Sequence, residues 1–468
     1  MKNNIIKKIE RVIGKKNILL SDKEKNKYLT EWRNRYTGEA KAILRPKTTK
    51  EVSSLLKLFY KNNIPITPQG GNTGLVGGQI TYNNEHYIIS LERMNKLISF
   101  NKIDNAIVVQ SGILLTEIHN ICEKNNMLFP LSLASEGSCT IGGNIATNAG
   151  GIGVLYYGNT RELTLGLEIV LADGSIINLL KTLKKDNTGY SLKDLFIGSE
   201  GTLGVITAAS LKIFPKPHEK FTFLASVKSP KKSLDFLRKI QKNISTPLTS
   251  FEIMNHNSLN IVLENIQNTH LPIPVKEKWY ILFEFSSYEK DLESLNKINK
   301  VVNEAIEEKI ICNAVFANTK KQVNKIWELR ENISEAQKKD GASIKNDISV
   351  PVFAVNEFIN EADKIVEREI PGAKRVTFGH LGDGNIHYNI SQPKNMNEAI
   401  FLKKEPKLRN KILSLITQMG GSFSAEHGVG IVRKKDALKV KSEEIKIMKK
   451  IKKSFDPKNI LNPGKIFD

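Results

Sequence analysis

The apolar positions of this chain fall into short runs broken by glycine, and that pattern predicts most of the elements. Met1 to Glu10 reads as an amphipathic helix studded with lysine. Ala42 to Leu44 predicts a strand that Pro46 stops. Thr49 is placed to cap a helix that runs from about Glu51 to Asn62. Strands are expected at Ile64–Pro68, Tyr87–Leu91, Ala106–Gln110, Leu165–Leu171 and Ala208–Phe214, with a helix at Leu115–Asn125. Pro215-Lys216-Pro217 is the best boundary between domains. Beyond it, strands at Phe221–Val227, Leu248–Met254, Tyr280–Phe285 and Ile311–Phe316 alternate with lysine-rich amphipathic helices, which predicts an α+β domain.

Between the strands of the first half lie three glycine-rich runs: Gly70 to Gly78, Gly137 to Gly151, and Gly198 to Gly204. Glycine lets backbone N–H groups approach a phosphate, so the first two runs are candidate cradles for a pyrophosphate, against the plainer reading of tight turns, and three such runs together favour an extended nucleotide cofactor. No GxxxxGK[ST] is present, and Gly71 to Gly77 spells GxxGxxG rather than GxGxxG. A dinucleotide site outside the usual Rossmann pattern is what remains.

Near the end of the second half, Gly379-His380-Leu381-Gly382-Asp383-Gly384-Asn385-Ile386-His387 reads as two strands around a tight turn, because Asp-Gly and Gly-Asn favour reversal. Such a hairpin carries His380 and His387 close enough to share a metal. Ser424-Ala425-Glu426-His427-Gly428 adds a carboxylate and a third histidine, out of 8 in the chain. Two histidines and a carboxylate with open positions match a catalytic metal site. Structural histidines in a glycine-rich hairpin are the competing reading.

At 468 residues the chain calls for two domains, and its 40% hydrophobic and 25% charged composition is that of a soluble globular protein. No apolar window reaches the roughly 18 residues of a membrane span, and the N-terminus has no signal-peptide core, so the cytoplasm is expected. The net charge of +21 raises nucleic acid as a partner. Its lysines are scattered, without an aromatic-laced stripe, so a solvated basic surface that favours an anionic substrate is the better account. Cys122, Cys139 and Cys312 make no metal or cluster spacing.

Trp32 to Tyr36, the runs at Gly70–Gly78, Ile141–Gly151 and Gly198–Gly204, the two histidine segments, and Asn462-Pro463-Gly464-Lys465 together resemble the FAD-linked oxidases of the vanillyl-alcohol oxidase type. Among them the chain is similar to the D-2-hydroxyacid dehydrogenases. The resemblance implies an α+β protein with a PCMH-type FAD-binding domain at 1–215. A ferredoxin-like cap domain follows at 216–468, with a closing segment from about 425 that returns to the flavin. It implies FAD held by Gly70, Gly71, Asn72, Thr73, Gly74, Gly77, Gly137, Ser138, Gly142, Gly143, Thr147, Asn148, Gly151, Gly201, Gly204, Ile206 and Asn462. Asn72 stands where some relatives carry a flavin-linked histidine, so noncovalent FAD is expected. The resemblance places metal ligands at His380, His387 and Glu426, for zinc first and manganese second, with His427 as base. Substrate contacts fall on Arg330, Ser334, Lys345 and Asn389. The implied reaction oxidises a D-2-hydroxyacid, D-2-hydroxyglutarate foremost and D-lactate or glycolate otherwise, by hydride transfer to the flavin. The expected partners are a separate electron acceptor, such as an electron-transfer flavoprotein or a quinone-linked carrier, and a second copy of the chain. The reading from another class is a basic nucleic-acid-binding protein.

Overall fold

The computed structural model describes residues 2–32, 34, 37–289 and 292–467. Arg33, Arg35 and Tyr36, part of the first motif above, lie outside the described residues. The chain forms two compact units. The first comprises Met1–Gly150, Gly158–Lys216 and Glu426–Asp468, and the second Gly151–Tyr157 and Pro217–Ala425.

In the first unit, β1 (Ile18–Leu19), β2 (Ala42–Leu44), β3 (Ile66–Gln69) and β4 (Tyr87–Ser90) make a sheet of order β1-β2-β4-β3. β4 runs parallel to both of its neighbours. The helix Thr49–Asn62 covers this sheet with Val52, Leu55, Leu56 and Phe59, whose 3/4 spacing sets one apolar stripe. Its cap is Thr48, whose hydroxyl accepts the Glu51 N–H at 3.1 Å, one residue before the Thr49 expected from sequence. Phe59 stacks on Tyr87 with ring centroids 5.1 Å apart. Seven further strands follow: β5 (Leu97–Asn101), β6 (Ala106–Gln110), β7 (Met127–Leu128), β8 (Thr164–Val170), β9 (Ile176–Asn178), β10 (Val205–Lys212) and β11 (Phe214–Pro215). Five of them form a second sheet of order β5-β6-β10-β8-β9. The C-terminal segment adds to the free edge of β3: Ile66 N–H donates to Ile460 O at 2.8 Å and Asn462 N–H to Ile66 O at 2.7 Å.

The second unit is one antiparallel sheet built from β12 (Glu219–Val227), β13 (Leu248–Asn255), β14 (Trp279–Ser287), β15 (Asn313–Phe316), β16 (Ser343–Ile344), β17 (Asp347–Ser349), β18 (Lys374–His380) and β19 (Asn385–Ser391). The order is β15-β12-β14-β13-β18-β19-β16, with β17 also on β19. Side chains alternate between two buried faces. Phe221, Phe223, Phe251, Ile281, Phe283 and Phe285 face one set of helices, including Pro230–Asn243 and Val355–Glu369. Leu224, Met254, Tyr280, Leu282, Val376 and Phe378 face the other set: His256–Asn265, Lys320–Glu331 and Ile333–Lys339. Glu252, His380 and His387 lie on that second face.

Candidate functional site

The pleat decides which polar groups meet on the second unit's sheet. In β18 and β19, His380 is opposite Asn385 and Phe378 is opposite His387. A connection of Leu381 to Gly384 joins the strands, and Gly384 takes φ 81° where a Cβ would stand 2.1 Å from Val350 O. His380 and His387 therefore sit diagonally on one face, with ring centroids 5.8 Å apart. On β13, Glu252 is opposite His380, and on β17, Asp347 is opposite His387. One face thus carries the row Glu252, His380, Asn385 beside the row Met254, Phe378, His387, Asp347.

Each histidine has a carboxylate on its Nδ1 side. His380 Nδ1 donates to Glu252 Oε1 at 2.6 Å, and His387 Nδ1 stands 3.6 Å from Asp347 Oδ1. Asn385 Nδ2 donates to the same Asp347 oxygen at 3.0 Å. Glu252 is fully buried, and its second oxygen accepts from Arg330 Nε at 2.7 Å. Burial alone would push the Glu252 carboxyl up, but the charges and hydrogen bonds of His380 and Arg330 outweigh it and hold the group below its usual range.

Arg330 is brought to this face by the helix Lys320–Glu331, where Ile326 and Leu329 bury beside it. Its guanidinium lies 4.8 Å over the Phe378 ring. Among the described residues its two terminal nitrogens make no hydrogen bond, so they are open to a carboxylate. It is neither a surface charge nor a helix partner of Ser334, which is exposed on the next helix, Ile333–Lys339. Lys345, half-buried, links β16 to β17. Asn389 has a framework position: it accepts Asn346 N–H at 3.2 Å and donates to Gln337 Oε1 at 3.0 Å, so both ends of its amide are committed. Glu252 and Asp347 escaped the reading from sequence. A glutamate inside the apolar run Leu248–Met254 was the signal for the first.

The glycine runs of the first unit do two different jobs. Gly70 and Gly71 lie against the second run so closely that a Cβ would come within 2.3 Å of Thr140 Oγ1 and 2.0 Å of Ser138 O. Gly142 likewise abuts Ser111, 2.6 Å from its Cβ. Beside this backbone-on-backbone contact opens a cavity of about 650 Å³, lined by Gly70, Gly71, Asn72, Gly112, Ser138 and Thr140 among others. Thr73 lines a smaller cavity of about 370 Å³ next to Asn72 and Ser138. The hydroxyls of Ser111 and Thr140 and the Oδ1 of Asn72 are buried without partners, which fits a polar ligand in the cradle. Asn72 Nδ2 holds the loop to Lys27 O and Thr30 O at 3.0 and 2.9 Å.

Most of the remaining expected contacts pack or hydrogen-bond within the first unit. Gly74 packs on Gln79, Gly77 near Ile431, Gly201 on Pro68, and Gly204 on Ile169 and Phe196. Ile206 is buried in β10. The Thr147 hydroxyl returns to Gly143 O, and Asn148 Oδ1 accepts from Arg161 N–H. Gly137 has open space around it. Gly151 begins the stretch that belongs to the second unit. Asn462 Nδ2 donates to Gly78 O and Glu200 O, at 2.9 and 2.7 Å. Glu426 and His427 open the C-terminal stretch of the first unit.

Residues 216–466 match the family described as FAD linked oxidases, C-terminal domain, and residues 40–180 match a FAD binding domain. The chain belongs to the FAD-linked oxidase family. It is an FAD-linked oxidoreductase with the PCMH-type fold expected from its sequence. The chain is 38% identical over 439 residues to a Rattus norvegicus protein named D-2-hydroxyglutarate dehydrogenase, mitochondrial, a match covering 93% of this chain and 79% of that one. It is 35% identical over 472 residues to a Schizosaccharomyces pombe protein provisionally named a mitochondrial D-lactate dehydrogenase, covering 97% and 88%. The solved structure of p-cresol methylhydroxylase with substrate bound superposes with a TM-score of 0.76 at 17% identity, covering 100% of this chain and 97% of that one, a likeness of fold. Both relatives' names place them in mitochondria, which does not support the cytoplasm expected for this chain. Among the described residues no helix is long and apolar enough to cross a membrane.

Proposed function

We propose that this FAD-linked oxidase oxidises a D-2-hydroxyacid to the 2-oxoacid, with D-2-hydroxyglutarate as the preferred substrate. The observation that carries the reading is the single sheet face holding His380 and His387, each backed by a carboxylate, with Arg330 beside them. FAD fits the cradle of Gly70, Gly71, Asn72 and Thr140, whose unpartnered buried groups suit a polar ligand; when bound it supplies a two-electron acceptor. Without a histidine in that loop the cofactor is held noncovalently.

His380, His387 and Glu426 are the proposed metal ligands, a set suited to zinc or manganese. The metal would polarise the substrate hydroxyl. His427 is the proposed acceptor of the hydroxyl proton. Arg330 offers two terminal N–H₂ groups in a fork that matches a carboxylate. Lys345 is the proposed reader of the distal carboxylate, with the Ser334 hydroxyl as a further donor. Asn389 acts at one remove, by holding Asn346 next to Lys345. The three cysteines are free and form no cluster, so a separate carrier takes the electrons.

Dye-linked assays across D-2-hydroxyglutarate, D-malate, D-lactate and glycolate test the reading. The five-carbon diacid should give the highest kcat/KM. A preference for D-lactate would replace it with the second reading, which the Schizosaccharomyces pombe relative supports. A colourless protein that turns over none of them would end both.

A further inference from the structure

A buried carboxylate is costly unless charged partners compensate it, so its presence calls for a reason. Glu252 is that carboxylate. Its neighbours on the same face of β13 and β14 are Met254, Tyr280 and Leu282, and its own exposure is 0%. Both of its oxygens are spent, one on His380 Nδ1 and one on Arg330 Nε. A carboxylate only accepts, so the Nδ1 of His380 carries a proton, and Nε2 is the nitrogen through which the neutral ring can bind a metal.

A plain staple between helix and sheet would need Arg330 alone. The bond to His380 is an additional constraint, and the cross-strand register Glu252↔His380 makes it inevitable once both residues share a face. The second histidine repeats the arrangement independently, with Asp347 on the Nδ1 side of His387. Two rings on one face, each with a carboxylate behind Nδ1, match the way proteins orient imidazoles whose other nitrogen binds a metal.

We infer that Glu252 is a positioning residue that locks His380 and Arg330 into one frame, presenting His380 Nε2 to a divalent metal and the Arg330 terminal nitrogens to a substrate carboxylate. The inference rests on the metal reading above and adds the residue that couples the metal side of the site to the carboxylate side. Glu252 therefore acts through its two partners and touches neither metal nor substrate.

The test is zinc affinity of the full-length flavoprotein, measured by competition with a chromophoric chelator, with FAD content and circular dichroism as checks of folding. Glu252→Gln should weaken zinc binding by about 10- to 100-fold, the usual cost of losing an outer-shell partner, while FAD stays bound. Arg330→Met, which breaks the same ion pair but leaves the histidine bond, should bind zinc close to wild type. If Glu252→Gln fails to fold because Arg330 is left buried and unpaired, Glu252→Gln/Arg330→Met removes both charges and carries the same expectation. Wild-type zinc affinity in the folded glutamine variant would overturn the role of Glu252 while leaving the metal reading intact. Wild-type protein that binds no zinc or manganese, and is unchanged by His380→Ala, would overturn the metal reading and this inference with it.

Discussion

Glu200 in the first unit and Glu252 in the second are both buried, yet their surroundings differ in kind. Glu200 sits in the third glycine run at φ 51° and accepts the N–H groups of Val429 and Gly430 at 2.7 and 2.8 Å. Its own carbonyl accepts from Asn462. Burial pushes its carboxyl above the usual range, against those two donors and Lys465. The Lys465 ammonium is itself pushed down to about 8 by burial, despite the pull of Glu200, and it donates to Ile80 O. These contacts latch the C-terminal segment to the third glycine run and to Ile80. Glu252 instead meets two side chains, His380 and Arg330. One buried carboxylate is held mainly by backbone N–H groups, whereas the other is held by the side chains of a histidine and an arginine.

The comparison breaks most severely at His380. His380→Ala should reduce turnover to background while FAD remains bound, because the cradle lies in the other unit. A variant with wild-type kcat would remove the second region's claim to chemistry. Lys345→Met comes next. A charge-assisted hydrogen bond is worth about 1.5–3 kcal/mol, so kcat/KM for D-2-hydroxyglutarate should fall about 10- to 150-fold. The loss on D-lactate, which has no second carboxylate, should be smaller. Equal losses on both substrates would move Lys345 to the shared carboxylate or to the fold.

Glu200→Gln sharpens the comparison from the other side, and its effect is the smallest. The amide sets one donor against a backbone N–H, which should cost about 1–3 kcal/mol of stability without changing KM. A carboxyl whose folded-state value is raised binds protons that the unfolded chain has already lost, so its contribution to stability falls as pH rises through that window. Glutamine does not titrate. The gap in melting temperature between wild type and variant should therefore narrow as pH climbs from below the usual carboxylate range to neutrality. A gap that widens would contradict the direction given for Glu200.

Much of this was legible in the residues. The hairpin at His380 and His387 follows from Asp383-Gly384-Asn385, whose turn chemistry leaves little choice. The strand Ala106–Gln110 occurs as expected because Ala106 to Val109 form a short continuous apolar run that is buried on both faces. β10 begins at Val205 rather than Ala208, since a register shift between Ile206 and Ala208 lets the strand start directly after the glycine run. The exposed strands β5 and β9 carry too few buried apolar positions to show a period. In the third glycine run Gly201 packs on Pro68 and Gly204 on Ile169 and Phe196, close approaches that depend on distant neighbours. Glu252 was hidden for a related reason: its meaning depends on β13 lying beside β18, a pairing of residues 128 positions apart.

The central claim, that this FAD-linked oxidase removes hydride from a D-2-hydroxyacid only with its metal in place, is tested most directly by anaerobic mixing of the yellow protein with D-2-hydroxyglutarate. The account predicts that the flavin absorbance bleaches on the turnover timescale, that chelator-treated protein does not bleach, and that zinc or manganese restores the reaction. Full bleaching of the metal-free protein, or none in the metal-replete one, would contradict it.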